Sequence, residues 1–407
     1  AMQTKLAAFI SDKPAGREAQ EILGRCVHCG FCTATCPTYQ LLGNELDGPR
    51  GRIYLIKSML EGTACSKSTL LHLDRCLTCR SCETTCPSGV EYGRLLEIGR
   101  QVAEKTVPRS IGHRLGRRLL AWFLTSRFFP LLVGLGRLVR RFCPEKIARY
   151  IPVGYAAGEI PTSSRSRQMI VLEGCAQPTL SPNTNAAAAR VLDRLGISLT
   201  SAPEVGCCGA LPLHLSIEDK ARLTMRRNID AWWPLLESGA ECIVMTASGC
   251  GVTVKEYGQV LADDSEYAEK ARRVSSVTWD LSEILLSEPM TASLAGRGVR
   301  VAVHTPCTLQ HGQGINGSIE EILSRLGFEQ ATVENSHLCC GSAGSYSILQ
   351  SSIAKRLRNN KLTALQGDRP DVIATANVGC QVHLAAESTV PVRHWIELVD
   401  SVMQTNS

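Results

Sequence analysis

The chain has 407 residues, 44% hydrophobic and 20% charged, with a net charge of +6 and 19 cysteines. Such a composition excludes long disordered tracts, and the length asks for two or three domains. The N-terminal stretch AMQTKLAAFISDKPAG has no apolar core long enough for a secretory signal, so reduced metal-binding cysteines in a cytosolic protein are expected, not disulfides.

In chain order, the first motif is CVHCGFCTATCP, with Cys26, Cys29, Cys32 and Cys36 ahead of Pro37. CLTCRSCETTCP repeats it, with Cys76, Cys79, Cys82 and Cys86 ahead of Pro87. This is the C-x2-C-x2-C-x3-C-P run of two-cluster ferredoxins, in which three close thiolates wrap one face of a cube and the fourth turns away to the other cluster. The expected ligand sets are therefore crossed. Cys26, Cys29, Cys32 and Cys86 would hold one [4Fe–4S] cluster, and Cys36, Cys76, Cys79 and Cys82 the other. Zinc knuckles, the alternative, need four ligands without this crossover.

Between the runs, GRIYLIKSMLEG and STLLHLDRC carry apolar residues three and four apart, which predicts short helices and an α-helical ferredoxin domain. His28 is expected to pack over a cluster or donate a hydrogen bond, and LDGPRGR, with Arg50 and Arg52, to be either a solvated turn or a docking point for an acidic partner. Nothing here is arranged as nucleophile, general base or substrate pocket, so the region is read as moving electrons.

Between Lys105 and Arg167 stand 13 Lys or Arg against two acids, a net of +11; the chain's +6 less this +11 leaves −5 elsewhere. Within it, RRLLAWFLTSRFFPLLVGLGRLVRR (117–141) is apolar, but Arg127 interrupts it and Pro130 breaks it, so it is not a membrane span. It reads either as a helix lying on an anionic lipid surface or as two helices packed across domains. It lacks the polar groups that would read nucleic acid. GYAAGEIPTSSRSRQ (154–168) reads as a linker.

From residue 168 the chain repeats itself. Cys175, Cys207, Cys208 and Cys250 recur as Cys307, Cys339, Cys340 and Cys380, at offsets of 132, 132, 132 and 130 residues. VLDRLGI recurs as ILSRLGF, and TASGC as TANVGC, so an internal duplication is inferred. Each copy reads strand–helix three times, with QMIVLE, ECIVMT, VRVAV and DVIAT as buried parallel strands. The single cysteines follow strands, and the pairs follow the middle strand, so four thiols per copy are expected on the carboxyl rim of a sheet. GQGING (312–317) matches a dinucleotide fingerprint but lies eight residues beyond its strand, and nucleotide binding is set aside.

EVGCCGAL and HLCCGSAG resemble the cysteine-rich CCG domains of heterodisulfide reductase and related electron-transfer subunits. That family implies five cysteines per site around a non-cubane [4Fe–4S] cluster. Here Thr253 and His383 stand at the fifth positions, so a modified cluster, a zinc ion or a site without metal all fit four thiols. His304, His311 and His337 are expected to hydrogen-bond to thiolates, with His383 a further ligand candidate; Cys65, Cys143 and Cys242 are read as packing thiols.

Two C-P terminated runs followed by two CCG units resemble the iron–sulfur subunits of bacterial glycolate oxidase, as do CVHCGFCTATCPTYQLLGNELDGPRGRIYLIK, EGCAQPTLSPNTNAAAARVLDRLGI and VRHWIE. The resemblance implies an α+β multidomain chain: a ferredoxin domain (1–100), a basic helical segment and linker (101–167), and parallel-sheet CCG units at 168–297 and 298–407. It further implies two [4Fe–4S] clusters here and FAD on a partner dehydrogenase subunit. Electrons from glycolate or another 2-hydroxy acid would pass toward quinone, on the inner face of the cell membrane. Sister complexes acting on glycerol-3-phosphate or lactate share the architecture, as does a heterodisulfide reductase-like enzyme, against which the absent fifth cysteines count.

Overall fold

In the computed structural model, residues 2–126, 128–144, 151, 156–289 and 295–404 are described. The Arg127 interruption and the first two linker positions lie outside them. The chain divides into two bodies: Ala1–Arg118 with His337–Arg358, and Leu119–Ser336 with Asn359–Ser407.

The N-terminal body is helical: α1 (Pro14–Arg25), α2 (Phe31–Ala34), α3 (Pro37–Leu42), α4 (Pro49–Leu60), α5 (Lys67–Asp74), α6 (Ser81–Thr84) and α7 (Tyr92–Thr106). Local chemistry sets the starts. Proline occupies the first turn of α1, α3 and α4, where its missing N–H costs nothing, and Ser66 caps α5 by accepting from Thr69 N. The two helices expected between the cysteine runs are α4 and α5. Ile22 and Leu23, Ile53, Ile56 and Leu60, and Leu95, Leu96 and Ile98 meet in one core. Each such burial contributes about 1.5–3 kcal/mol.

Arg52 is not the surface residue the sequence implied. It falls one turn before Ile56, on the core side of α4, and is 1% exposed. Its Nε donates to His72 O at 2.8 Å and its Nη atoms to Thr38 Oγ1 at 3.2 Å. Asp47, equally buried, accepts from Arg75 Nη1 at 2.9 Å and faces His72 Nδ1 at 2.9 Å. Arg50 does stand near the surface, paired with Glu45 at 2.6 Å.

The basic segment forms α8 (Ile111–Thr125) and α9 (Phe129–Val139). No single helix among the described residues is long and apolar enough to cross a membrane; these two pass that test only together, bent by 88°.

The α/β body holds two four-stranded parallel sheets. In the first, β1 (Arg167–Val171), β2 (Ile197–Ser201), β3 (Ile243–Met245) and β4 (Thr278–Asp280) run in the order β2-β1-β3-β4. In the second, β5 (Arg300–His304), β6 (Glu329–Gln330), β7 (Val372–Thr375) and β8 (Val392–His394) run β6-β5-β7-β8. Identical order is the structural form of the duplication. Each copy has a fourth strand that the sequence did not announce, because β4 and β8 are only three residues long. The strand that is second in sequence lies at a sheet edge, since the chain lays β2 and β6 on one side of β1 and β5 and then crosses back to add the remaining strands on the other.

One hydrophobic core serves both copies. Met169, Val191 and Leu285 of the first share it with Val303, Ile322 and Trp395 of the second. Polar ties add to it: Arg190 Nη2 meets Asp400 Oδ2 at 2.8 Å, and Ser248 N donates to Ala376 O at 3.0 Å. His394 Nε2 donates to Thr246 O at 2.8 Å while its Nδ1 accepts from Ile396 N at 3.3 Å, a pattern only the neutral imidazole satisfies. Burial lowers its pKa to about 4.

A depressed folded pKa stabilises above the unfolded value, near 6.5, and that stability is lost as pH falls toward 4; a shift this size is on the order of 3 kcal/mol. The thermal midpoint of the α/β transition should therefore drop between about pH 7 and about pH 5. His394→Gln should start lower and slope less; an equal slope would remove His394 from the account.

Candidate metal centres

The two ferredoxin loops share an unusual backbone. His28 and Thr78, two residues past the first cysteine of each run, have φ of 56° and 57°; Gly30 and Arg80 follow at 86° and 59°. This left-handed conformation turns each N–H back on the preceding sulfur. His28 N–H bonds to Cys26, and Thr78 N lies 3.4 Å from Cys76 Sγ. The His28 contribution to the site is thus its backbone as well as a side chain lining the cavity.

One cavity of about 440 Å³ is lined by Cys26, Cys29, Cys32 and Cys86, with Cys82 in its wall. A second, of about 290 Å³, is lined by Cys36, Cys76, Cys79 and Cys82. Each draws cysteines from both runs, and neither lining includes a carboxylate. Burial, then Cys26, Cys29, Cys36 and Cys86, pushes the Cys32 thiol up to about 11. Cys82 is raised well above the ordinary thiol range by burial first and then by Cys79 and Cys76. Thiolates gathered this closely are electrostatically uphill until a cationic centre joins them, so the donor set fits iron–sulfur clusters.

Around the second cavity the protein supplies further polar groups. Tyr92 Oη lies 3.6 Å from Cys76 Sγ, and Thr38 Oγ1 3.3 Å from Cys36 Sγ. Burial opposes the Arg52 charge, yet Cys76, Tyr92, Cys36 and Asp47 together raise its pKa. Sequence reading missed these three residues as site neighbours. Thr38, two positions after Cys36, is the one whose spacing offered a signal.

In the first duplicated copy, Cys175 follows β1, Cys207 and Cys208 follow β2, and Cys250 lies in the first turn of the helix Ser248–Lys255 after β3. These are the carboxyl ends of strands at the point where the sheet order reverses. The thiols form a hydrogen-bonded chain, Cys175–Cys207–Cys208–Cys250. Bonds from Cys175 and Cys208, then the N–H groups of Gly209 and Leu211, hold Cys207 well below the usual thiol range. Cys175 is raised by Cys207 and then by burial; Cys208 is raised by Cys207 and Cys250 and then by burial. Asn228 Nδ2 and Tyr257 Oη fix the pair through its carbonyls, at 2.8 and 2.6 Å. Thr253, at the fifth position, donates its hydroxyl to Gly249 O at 3.0 Å within its own helix.

The second copy is distributed differently. Cys339 and Cys340 lie on His337–Arg358, which belongs to the N-terminal body, whereas Cys307 and Cys380 belong to the α/β body. His304 Nδ1 lies 2.9 Å from Thr375 Oγ1, and burial, then Lys361 and His383, lowers its pKa to about 3. Cys242 is a core thiol pushed up to about 12, with burial as the leading cause.

The glycine after each pair has a defined task. Gly209 and Gly341 have φ of 91° and 86°, and each N–H sits 3.4 Å from the sulfur two residues back. Adjacent cysteines are thus presented from one left-handed turn.

Residues 22–90 match the 4Fe-4S dicluster domain family, and residues 169–255 and 301–385 each match the Cysteine-rich domain family. The chain is 53% identical over 406 residues to the glycolate oxidase iron-sulfur subunit of Escherichia coli, covering 99% of this chain and 100% of that one. It belongs to the family of glycolate oxidase iron–sulfur subunits. A probable glycolate oxidase iron-sulfur subunit of Bacillus subtilis is 29% identical over 88% of this chain and 87% of its own. The lactate utilization protein A of Bacillus licheniformis is 24% identical over 56% of this chain and 96% of its own. The iron–sulfur subunit described here is accordingly an electron-transfer component carrying two [4Fe–4S] clusters.

An added Cβ at Gly341 would meet Ala354 O at 2.8 Å and Leu357 Cβ at 2.9 Å, whereas at Gly209 the nearest atoms are Met225 side-chain carbons at 3.3 Å. Both substitutions to Ala strain a left-handed residue, a cost of about 1–3 kcal/mol. Gly341→Ala should lower the denaturation midpoint more than Gly209→Ala; the reverse order would contradict the packing.

Proposed function

We propose that this chain is the electron wire of a glycolate-oxidising complex. Cys26, Cys29, Cys32 and Cys86 hold one [4Fe–4S] cluster, and Cys36, Cys76, Cys79 and Cys82 the other. The observation that carries the assignment is the pair of cavities lined by cysteines from both runs. Bound there, the clusters supply one-electron acceptors at adjustable potential. The protein's part is to supply eight thiolates, aim backbone N–H groups at sulfur, and keep water from the second site, where Cys36, Cys76 and Cys82 are buried.

The electron donor is FAD on a partner dehydrogenase subunit, which oxidises glycolate or a close 2-hydroxy acid to the 2-oxo acid; the acceptor is a membrane quinone. Support for substrate and partner comes from the full-length likeness to the Escherichia coli subunit. Cys175, Cys207, Cys208 and Cys250 form a further four-thiol site that fits iron–sulfur or zinc.

Anaerobic purification with the copurifying flavoprotein, followed by glycolate, should produce the EPR signals of reduced cubanes. Reduction by lactate or glycerol-3-phosphate but not glycolate would transfer the chain to a sister complex.

The complex rests on the inner face of the membrane through α8 and α9. Ile111, Leu115, Leu119, Trp122, Leu131, Leu135 and Leu138 are exposed on these helices, with Arg114, Arg118 and Arg141 exposed beside them. Apolar side chains interleaved with arginines suit the headgroup boundary of an anionic bilayer. The chain should float with phosphatidylglycerol vesicles and not with phosphatidylcholine, less so as salt rises; salt-independent binding to both would sink this attachment.

A further inference from the structure

Each sulfur-lined cavity has an arginine from the first turn of α4 in its wall, and the two differ in what surrounds them. Arg50 lines the first cavity and Arg52 the second. Arg50 is paired with Glu45 at 2.6 Å, and both side chains stand open to water, so its charge is neutralised and screened. Arg52 is 1% exposed, and the nearest carboxylate oxygen, on Asp47, lies 3.7 Å away. That carboxylate is already engaged by Arg75 Nη1 and His72 Nδ1, each at 2.9 Å. The Arg75 backbone is fixed in its turn, its carbonyl accepting from Tyr346 Oη at 3.0 Å. Before His72 is counted, Arg52 and Arg75 against Asp47 leave a net positive charge at the second cavity, whereas Arg50 against Glu45 leaves none at the first. The other arginines nearby do not upset this contrast. Arg80, also in the second lining, faces Gly93 together with Glu83, and Arg100 directs its donors to the Leu73 and Cys76 carbonyls.

Thr38 ties the guanidinium to the sulfur. Its hydroxyl oxygen lies 3.3 Å from Cys36 Sγ and accepts from both Arg52 Nη atoms at 3.2 Å. The hydroxyl proton goes to Asp47 O at 2.7 Å, so the positive group serving Cys36 is the guanidinium and not the hydroxyl. Burial opposes the Arg52 charge, and Cys76, Tyr92 and Cys36 support it ahead of Asp47. The principal counter-charge of Arg52 is therefore the sulfur site. Burial also acts on a cluster held there: Cys36, Cys76 and Cys82 are buried, while Cys29 of the first set is exposed. Reduction adds a negative charge, which a dry site disfavours and a fixed cation favours.

We propose that Arg52 sets the reduction potential of the second [4Fe–4S] site, its permanent charge offsetting the burial that would otherwise put that cluster out of reach of electrons from the first. The proposal rests on the cluster assignment above. One electron leaves the cubane on Cys26, Cys29, Cys32 and Cys86, and one arrives at the cubane on Cys36, Cys76, Cys79 and Cys82; no bond and no proton moves. Arg52 acts as a charge in the wall and takes no part in the transfer itself.

The test is a redox titration of the full chain, prepared anaerobically with iron and sulfide counted, and read by EPR. Cys29→Ser and Cys79→Ser first assign the two cubane signals. If both alter the same signal, or if wild-type protein carries no iron, the cluster assignment falls and this proposal with it. Arg52→Gln should then lower the second midpoint alone, cutting the electron's preference for the second cluster by tenfold or more, about 59 mV for a one-electron couple. Arg52→Lys keeps the charge and should lie closer to wild type than Arg52→Gln. Asp47→Asn removes the neighbouring negative charge and should raise the second midpoint. Arg50→Gln should move the first midpoint less than Arg52→Gln moves the second. A purely structural Arg52 would give its Lys and Gln variants the same shift, or give the Arg52 and Asp47 variants shifts of one sign. Either result overturns the proposal, as does an Arg52→Gln chain that titrates like wild type. Should Arg52→Gln lose iron, the other two variants decide: a second midpoint held by Arg52→Lys and raised by Asp47→Asn supports the proposal, and one lowered in both overturns it.

Discussion

Everything in this chain is organised around the difficulty of putting sulfur next to sulfur. A thiolate brought near three others loses water and meets like charge, and both effects raise its proton affinity. Cys32 and Cys82 carry that signature, and Cys175 and Cys208 carry it again in the α/β body. The protein answers with backbone donors. Left-handed residues at His28, Thr78, Gly209 and Gly341 each turn an N–H toward the sulfur two residues earlier. The same device therefore serves a helical ferredoxin loop and the rim of a parallel sheet. Non-glycine residues are accommodated in the first setting, where His28 lines a cavity and Thr78 Oγ1 accepts from Arg100 Nη1 at 3.3 Å; at Gly341 the facing Ala354 and Leu357 leave no room for a side chain.

The second sulfur-lined cavity receives a further offset, a guanidinium held in the core. Arg52 is kept there by Thr38 and the His72 carbonyl, and Asp47 is balanced in turn by His72 and Arg75. A buried charge with these partners is stable only as a set, because removing one member strands the others. Its yield is electrostatic: a fixed positive charge and two hydroxyl groups near Cys36 and Cys76, on the face where the Tyr346 segment arrives. The first cavity has a more open aspect, with Cys29, Val27 and Phe31 exposed. The thiols of the second set are thus the more buried, with Cys36, Cys76 and Cys82 all out of solvent.

Duplication explains the α/β body. Sheet order, the shared core and the glycine turns repeat. What differs is where the cysteine pair goes, and that difference follows from a few residues such as Tyr346 and Arg356 whose partners lie near residues 41 and 75, hundreds of positions away.

The sequence by itself determined the chemistry and the class. Cysteine spacing with the terminal C-P marked two crossed cluster sets, the offset of 132 marked the duplication, and apolar spacing marked α4, α5 and the buried strands. These are short-range or periodic signals, carried by residues within a turn or two of each other. It did not reveal that Arg52 is internal, because one arginine among basic neighbours looks solvated until its helix is rotated against a core. Nor did it reveal β4 and β8, which are too short to show a period. Tyr346 was silent for the same reason at greater distance. A hydrogen bond across 271 residues leaves no local trace, so only the tertiary structure could decide that the second cysteine pair, and not its twin, belongs with the ferredoxin clusters' own body.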